Sequence, residues 1–185
     1  MKFMEIEFKY NAKNIGLKAF RDHVEKIASE SKWQVVASYD DYFVNDIGRF
    51  VRYRYNGTTG QLTTKEKTIE GNNQNRVEYN LNLDNNNYET VKGCFESLGF
   101  KFNFQIYKIC HIAWLEKIDI VYYSVYDNEL KELDRFIEIE AIEDYKWGSE
   151  QEAWDEITKY EKLLEPLGIT PQHRMKKSLF EMYKK

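Results

Sequence analysis

Like-charged side chains recur two positions apart in this sequence, which is the spacing that places side chains on one face of a β-strand. Four such pairs lie within segments that are predicted to be strands: Glu5 and Glu7, Arg52 and Arg54, Lys65 and Lys67, and Glu138 and Glu140. Because neighbouring like charges repel, a sheet built for stability alone would interleave the signs. Carboxylate pairs suit a hard divalent cation, whereas Arg and Lys pairs suit phosphate oxygens. Together these pairs predict a site for a polyphosphate that carries Mg²⁺ or Mn²⁺.

In the two strands that carry carboxylate pairs, the residues that alternate with the charges are apolar. Ile6 and Phe8 alternate with the first carboxylates, and Ile137 and Ile139 alternate with the last ones. A single strand of this kind is ordinary, since an antiparallel sheet commonly has one wet and one dry face. If the sheet closes into a barrel, however, the charged faces converge inside and the apolar faces pack beneath helices.

Short extended segments dominate the chain, with turn residues between them, which predicts a mostly antiparallel α+β domain. We expect strands at 2–10, 34–43, 48–55, 61–69, 75–83, 101–112, 113–126 (with a turn near Glu116) and 134–143, and helices at 15–31, 88–98, 149–164 and 172–185. Asn56-Gly57 is typical of a hairpin, and Gly99 of a helix C-terminus. Ser149 and Glu152 fit a capping box at the start of the third helix.

Length and composition indicate one packed domain over 1–185, with a helical C-terminal part from about 149. The 185 residues are 42% hydrophobic and 31% charged, which disfavours wholesale disorder. The 31 acidic against 27 basic residues give no net basic surface for duplex nucleic acid. No apolar run is long enough to cross a bilayer, and charges interrupt the first ten residues. We therefore expect a cytoplasmic protein with no membrane partner.

An ordered set of motifs resembles the CYTH domain, also called the triphosphate tunnel metalloenzyme family. The opening strand Glu5-Ile6-Glu7-Phe8-Lys9 matches E-x-E-x-K, which alone is a weak signal. The segments that follow in matching order are Asp40-Asp41-Tyr42-Phe43, Arg52-Tyr53-Arg54, Leu62-Thr63-Thr64-Lys65, Arg76-Val77-Glu78, Asp127, Phe136-Ile137-Glu138-Ile139-Glu140 and Lys176-Lys177-Ser178-Leu179-Phe180-Glu181. The resemblance covers nearly the whole chain, and the ordered set is fairly specific.

The resemblance implies an eight-stranded antiparallel β-barrel, or tunnel, with flanking helices. It also implies Mg²⁺ or Mn²⁺ on acidic side chains and a triphosphate on basic ones. The implied metal ligands are Glu5, Glu7, Asp127, Glu138 and Glu140, with Asp119 as the competing choice for Asp127. The implied phosphate-binding residues are Lys9, Arg52, Arg54, Lys65, Arg76 and Lys108, with Lys67 as a further base. Glu78 is expected to assist catalysis, and Tyr42 with Lys65 is a candidate assisting pair.

Two positions depart from the family pattern. Asn80 stands where a third carboxylate is usual in the R-x-E-x-E strand, and Cys110 stands where the K-x-R strand has an arginine. The first change weakens the case for a second metal ion. The second lowers the expected phosphate affinity or alters the preferred substrate.

The leading hypothesis is a metal-dependent triphosphatase, a phosphoric anhydride hydrolase that acts on inorganic tripolyphosphate, thiamine triphosphate or a nucleoside triphosphate. The alternatives are an adenylyl cyclase of the same architecture, which makes cyclic AMP from ATP, and a non-catalytic polyphosphate- or nucleotide-binding module. A purely structural protein, with the charge pairs as surface decoration, is a further possibility. The expected partner is a small molecule that contains a triphosphate, and the expected assembly is a monomer or homodimer.

Overall fold

The computed structural model describes residues 3–65, 75–83, 87–142 and 145–185, of which 3–5, 75 and 76 are described by their backbone alone. Eight antiparallel strands form a closed barrel within this part of the chain. The strands are β1 (Phe3–Asn11), β2 (Lys32–Val44), β3 (Phe50–Tyr55), β4 (Gly60–Lys65), β5 (Asn75–Asn82), β6 (Lys101–Trp114), β7 (Ile118–Tyr126) and β8 (Glu132–Ala141). The helices are α1 (Leu17–Ile27), α2 (Tyr88–Ser97), α3 (Glu150–Leu163) and α4 (Leu179–Tyr183). The predicted α+β barrel with flanking helices is confirmed.

The first strand closes the barrel because it has two partners. Residues 3–6 of β1 pair with β5, and residues 7–11 pair with β8. The order around the barrel is β1-β5-β4-β3-β2-β6-β7-β8. Short turns connect β3 to β4 and β7 to β8. Gly57 adopts a φ of 94° in the first of these turns, which is the hairpin that the Asn56-Gly57 sequence predicts.

The main hydrophobic core lies outside the barrel, between its wall and helices α1 and α3. Ile6, Phe8 and Tyr10 of β1 are buried there, as the alternation in the sequence predicts. Helix α1 contributes Phe20 and Val24, and α3 contributes Ala153 and Ile157. A smaller cluster packs α2 against β2 and β3. The even-numbered face of β1 is therefore the outer one, which leaves the odd-numbered Glu7 and Lys9 to point inward.

The interior is not polar throughout, which corrects the expectation of a wholly charged tunnel. Inward-facing side chains of β2, β6, β7 and β8 form a second apolar cluster: Tyr42, Phe104, Ile106, Val121, Tyr123, Val125 and Phe136. Leu179 and Phe180 of α4 join this cluster, and Phe180 stacks on Phe50 with ring centroids 4.3 Å apart. Apolar packing that includes α4 therefore fills part of the barrel, and the charged cavity occupies the remainder.

Most of the predicted elements are present, with boundaries shifted by a few residues. The predicted helix at 172–185 is wrong in extent, because only Leu179–Tyr183 is α-helical. The preceding residues pair with the barrel instead: Arg174 bridges to Tyr10, and the Met175 amide donates to the Lys9 carbonyl at 2.7 Å. Ser178 then begins α4 with a complete capping box.

Two further expectations differ in detail. Ser149 caps α3, but the Glu152 carboxylate accepts from the Gly148 amide and not from that of Ser149, so only half of the predicted capping box forms. The predicted strand at 61–69 is present through Lys65, and its last residues lie outside the described ones. None of the described helices is long and apolar enough to span a membrane.

Candidate functional site

A cavity of about 430 Å³ lies inside the barrel, and charged side chains from seven strands line it. Its charged lining consists of Glu7, Lys9, Arg52, Arg54, Lys65, Glu78, Lys108, Asp119, Glu138 and Glu140. The volume lies in the range of small-molecule sites, which is about 300 to 1,000 Å³. The structure thus brings together residues from most of the predicted charge pairs, although they are up to 133 positions apart in the sequence (140 − 7 = 133).

The first group of ion pairs is built on Asp40, which is fully buried beneath the cavity wall. Arg54 donates two hydrogen bonds to its carboxylate, at 2.7 and 2.9 Å, and the Lys108 ammonium lies 3.3 Å away. Burial alone would raise the pKa of Asp40, but the adjacent cations outweigh burial and hold that pKa well below its usual range. Asp40 therefore stays ionised and fixes two cations that face the cavity.

The second group joins β3, β4 and β5. The Lys65 ammonium lies 2.6 Å from the Glu78 carboxylate, and Arg52 lies 3.9 Å from the same group. Burial opposes ionisation of Glu78, but these cations lower its pKa to about 2. Arg52 also donates to the Thr63 hydroxyl at 2.9 Å, and that hydroxyl donates to the Asn80 side-chain oxygen at 2.7 Å. Asn80 thus completes a hydrogen-bonded chain at the position where the resemblance described above predicts a carboxylate.

The third group lies where β1 meets β8. The Lys9 ammonium is 2.9 Å from a carboxylate oxygen of Glu138 and 3.8 Å from one of Glu7. The Tyr123 hydroxyl donates to the same Glu138 oxygen at 2.8 Å. Burial alone would raise the pKa of Glu138, but the nearby charges, chiefly those of Lys9 and Lys108, outweigh this effect and lower the pKa to about 2. The register between β1 and β8 places Lys9 opposite Glu138 and Glu7 opposite Glu140.

A row of carboxylates extends from this group onto β7, where Asp119 is in register with Glu140. One oxygen of Asp119 is buried and makes no hydrogen bond with the described residues. Burial raises the pKa of Asp119 to about 7. Within the described part of the chain, no three carboxylate, imidazole or thiolate groups converge closely enough to hold a metal ion. The row therefore supplies the oxygen ligands that a divalent cation prefers, but the side chains do not meet at one point.

Several predicted residues are placed differently. Asp127 lies in the turn between β7 and β8, where its carboxylate accepts from the amides of Glu129 and Lys131, and it does not line the cavity. The competing choice, Asp119, does line it. Tyr42 lines the cavity but packs against Phe104 with ring centroids 4.5 Å apart.

Burial raises the pKa of Tyr42 to about 12, which suits a packing role and disfavours a role as base at neutral pH. Lys67 and the side chains of Glu5 and Arg76 lie outside the described part of the structure. Cys110 lines the cavity, and burial raises the pKa of its thiol, so this position contributes a neutral group.

The sequence reasoning assigned no role to Asp40 and foresaw no apolar plug. Asp40 alternates with Ser38 and Tyr42 in a strand, and this alternation is the signal that places it on the inner face with Tyr42. Leu179 and Phe180 contribute to the apolar cluster inside the barrel, and no alternation pattern in the sequence indicates this. Their position depends on how the C-terminal segment pairs with β1.

Comparison with known proteins bears on the fold. No protein-family model matches the sequence, and no curated protein matches it. Among solved structures, the PH1012 protein of Pyrococcus horikoshii OT3 superposes with a TM-score of 0.74 at 21% identity, covering 97% of this chain and 99% of that one. A putative adenylate cyclase from Bacillus halodurans gives 0.64 at 15% identity, with 98% of each chain covered. The capping enzyme triphosphatase of Mimivirus gives 0.52 at 13% identity, covering 89% and 88%.

These similarities span nearly the whole chain, and they fall below the identity at which an activity transfers with a fold. They agree with the motifs of the sequence and with the closed eight-stranded barrel. The chain therefore has the fold of the CYTH, or triphosphate tunnel metalloenzyme, proteins.

Proposed function

We propose that this protein hydrolyses a triphosphate substrate inside the barrel with the help of a divalent metal ion. The observation that carries the proposal is the convergence of five cationic side chains on one cavity that also holds carboxylates. These cations are Lys9, Arg52, Arg54, Lys65 and Lys108. A cavity built only for stability has no need of buried charges of both signs, because burying them is costly.

The cations form the phosphate-binding side of the proposed site. Arg52 and Arg54 offer planar forks that match phosphate oxygens, and Lys65 adds a compact charge. Each of these cations already lies near a carboxylate, so its position is fixed before a ligand arrives. Arg76 and Lys67 remain predicted members of this side of the site.

The carboxylate row forms the proposed metal-binding side, with Glu7, Glu138 and Glu140 as ligands, directly or through water. One buried oxygen of Asp119 accepts no hydrogen bond from the described residues, which suits a metal ligand, so we assign to Asp119 the role first predicted for Asp127. Glu5 stays a predicted ligand. Bound Mg²⁺ or Mn²⁺ would neutralise phosphate charge and polarise phosphoryl oxygens.

The chain's own groups account for the remaining chemistry. Lys65 and Arg52 would stabilise the terminal phosphoryl group as negative charge spreads over its oxygens. A water molecule attacks the terminal phosphorus in line and a P–O bond forms. The phosphoanhydride bond breaks with its electron pair on the diphosphate part of the substrate, so that orthophosphate and the diphosphate product are released and a proton passes to solvent. Glu78 is ionised, with a pKa of about 2, and it would orient the water and hold Lys65 in place.

Product analysis tests this proposal. The purified protein is incubated with tripolyphosphate, thiamine triphosphate and ATP, each with Mg²⁺ or Mn²⁺, and orthophosphate, pyrophosphate and cyclic AMP are measured. We expect orthophosphate from at least one substrate, and a loss of roughly 100-fold or more in the rate for Lys65→Met. The matched control is Lys101→Met, because Lys101 is a highly exposed lysine outside the cavity. Orthophosphate release that Lys65→Met leaves intact would contradict the site.

The same assay distinguishes the alternatives. The fold shared with a putative adenylate cyclase from Bacillus halodurans keeps the cyclase in consideration, and cyclic AMP with pyrophosphate would be its product. The neutral groups at Asn80 and Cys110 stand where the family pattern has charged residues. These two departures are the observation that favours a non-catalytic binding module. Tight binding of tripolyphosphate without any turnover would support that module.

A further inference from the structure

The Lys9 ammonium contacts two of the carboxylates that are proposed to bind the metal ion. It lies between carboxylates of Glu138 and Glu7, at 2.9 and 3.8 Å. Only about a tenth of each of the Lys9 and Glu7 side chains is exposed to solvent. A monovalent cation of the protein itself therefore already occupies the space between two of the proposed metal ligands.

The two sides of this contact differ in how freely they can move. The Tyr123 hydroxyl donates to the Glu138 oxygen that Lys9 contacts, which fixes the carboxylate on the barrel wall. Lys9 has a flexible four-carbon stem, and its ammonium is a point charge that can exchange one anionic partner for another. Lys9 also lines the cavity into which Arg52 and Lys65 project.

We propose that Lys9 serves as a displaceable internal counter-ion, which a divalent metal ion expels from between Glu7 and Glu138 and which then binds the polyphosphate. In the absence of metal, the Lys9 charge is committed to carboxylates and contributes little to anion binding. With the metal in place, two positive charges replace one at the carboxylates, and the ammonium turns toward the cavity. Metal and polyphosphate binding are then positively coupled through one side chain, and the ligand recognised is the metal-bound polyphosphate. This regulation rests on the proposed function for its anion-binding half only.

The first test measures Mn²⁺ affinity without any phosphate, by calorimetry, for the wild type and for Lys9→Met. Removing a competing cation from the site should tighten Mn²⁺ binding by roughly tenfold or more. Lys13→Met is the matched control, because Lys13 is an exposed lysine four positions along and outside the cavity, and it should leave the affinity unchanged. An equal or weaker affinity in Lys9→Met would overturn the inference.

The second test uses the wild type alone, so it stands even if Lys9→Met fails to fold. Lysines are labelled by reductive methylation with and without saturating Mg²⁺, and the labelled positions are quantified by mass spectrometry. Displacement of the ammonium predicts faster labelling of Lys9 in Mg²⁺ and no change at Lys13. Labelling of Lys9 that Mg²⁺ does not accelerate would contradict displacement.

A third measurement separates this inference from the proposed function. In saturating Mn²⁺, Lys9→Met should bind tripolyphosphate roughly tenfold or more weakly than the wild type, because one charge-assisted contact is lost. If the wild type binds no triphosphate at all, the proposed function fails, whereas the Mn²⁺ and labelling results still decide the role of Lys9. If tripolyphosphate binds equally to both proteins, the anion-binding half of the inference is wrong.

Discussion

At the scale of single residues, each described cation that lines the cavity lies within 4 Å of a carboxylate. Asp40 forms ion pairs with Arg54 and Lys108, Glu78 with Lys65 and Arg52, and Glu138 with Lys9. A ligand must therefore exchange existing ion pairs when it binds, and an anion that arrives with its own cation replaces both members of a pair. This balance could not be read from the sequence, which shows the segregated like-charge pairs but not the cross-strand pairing of opposite charges.

Asp119 is partly buried without an ion-pair partner among the described residues, and this makes the stability of the protein depend on pH. Burial raises its pKa from about 3.8 to about 7, so the folded state holds a proton that the unfolded state releases between these values. Stability is therefore greatest below the unfolded pKa and falls as pH rises toward 7. Because the side chain is partly exposed, we expect a loss of only roughly 1 to 2 kcal/mol.

Asp119→Asn removes this dependence. In a metal chelator, urea unfolding should show the variant to be more stable than the wild type at pH 8, with little difference at pH 4. Asp155→Asn, which replaces an exposed aspartate of α3, is the control and should behave alike at both values. A stabilisation of Asp119→Asn that is the same at pH 4 and pH 8 would show that the carboxyl is not perturbed by burial.

At the scale of elements, one buried carboxylate ties α3 to the first strand and to the C-terminal segment. Glu161 is almost fully buried, accepts two hydrogen bonds from Arg174 and accepts another from the Tyr10 hydroxyl. The Arg174 guanidinium in turn lies over the Phe8 ring at 3.5 Å. This network places the segment that leads into α4, and it explains why residues 174–177 are not helical although the sequence predicts a helix there.

Breaking this network should therefore destabilise the protein far more than breaking a surface pair of the same helix. Glu161→Gln leaves Arg174 without its anion, and we expect a loss of about 2 to 3 kcal/mol in the free energy of unfolding. Glu156→Gln, which breaks the Glu156–Lys159 pair, should cost less than about 0.5 kcal/mol. Chemical denaturation of both variants measures the difference, and similar losses would contradict the account of Glu161.

The elements also show where sequence reasoning succeeds. Strand alternation in β1 and β8 correctly separates outward Ile6, Phe8 and Ile139 from inward Glu7 and Glu138, because a side-chain period of two is a local property. Phe104 and Ile106 form an apolar inward face of β6, and the opposite face of this strand is also largely uncharged. The pattern of β6 alone therefore does not predict which face points into the barrel.

At the scale of the whole molecule, an outer core under α1 and α3 allows the barrel to keep a charged interior. Most folds place their largest apolar cluster inside, whereas here Ile118, Ile120, Ile137 and Ile139 point outward and are buried by helices. The apolar cluster that includes α4 fills only part of the interior. The order of strands in the barrel and the position of this apolar cluster depend on pairings between distant segments. The spacing of residue types in one sequence does not specify those pairings.

The most direct test of the central claim, that the cavity is a triphosphate site, is the affinity for tripolyphosphate in saturating Mg²⁺, measured by titration calorimetry. Arg52 reaches the cavity through the Glu78 and Thr63 contacts, while Arg49 lies exposed three residues earlier. We predict that Arg52→Gln weakens binding by about 10- to 100-fold, the worth of one charge-assisted hydrogen bond, and that Arg49→Gln binds as the wild type does. Equal affinity in all three proteins, or no binding by the wild type, would contradict the account.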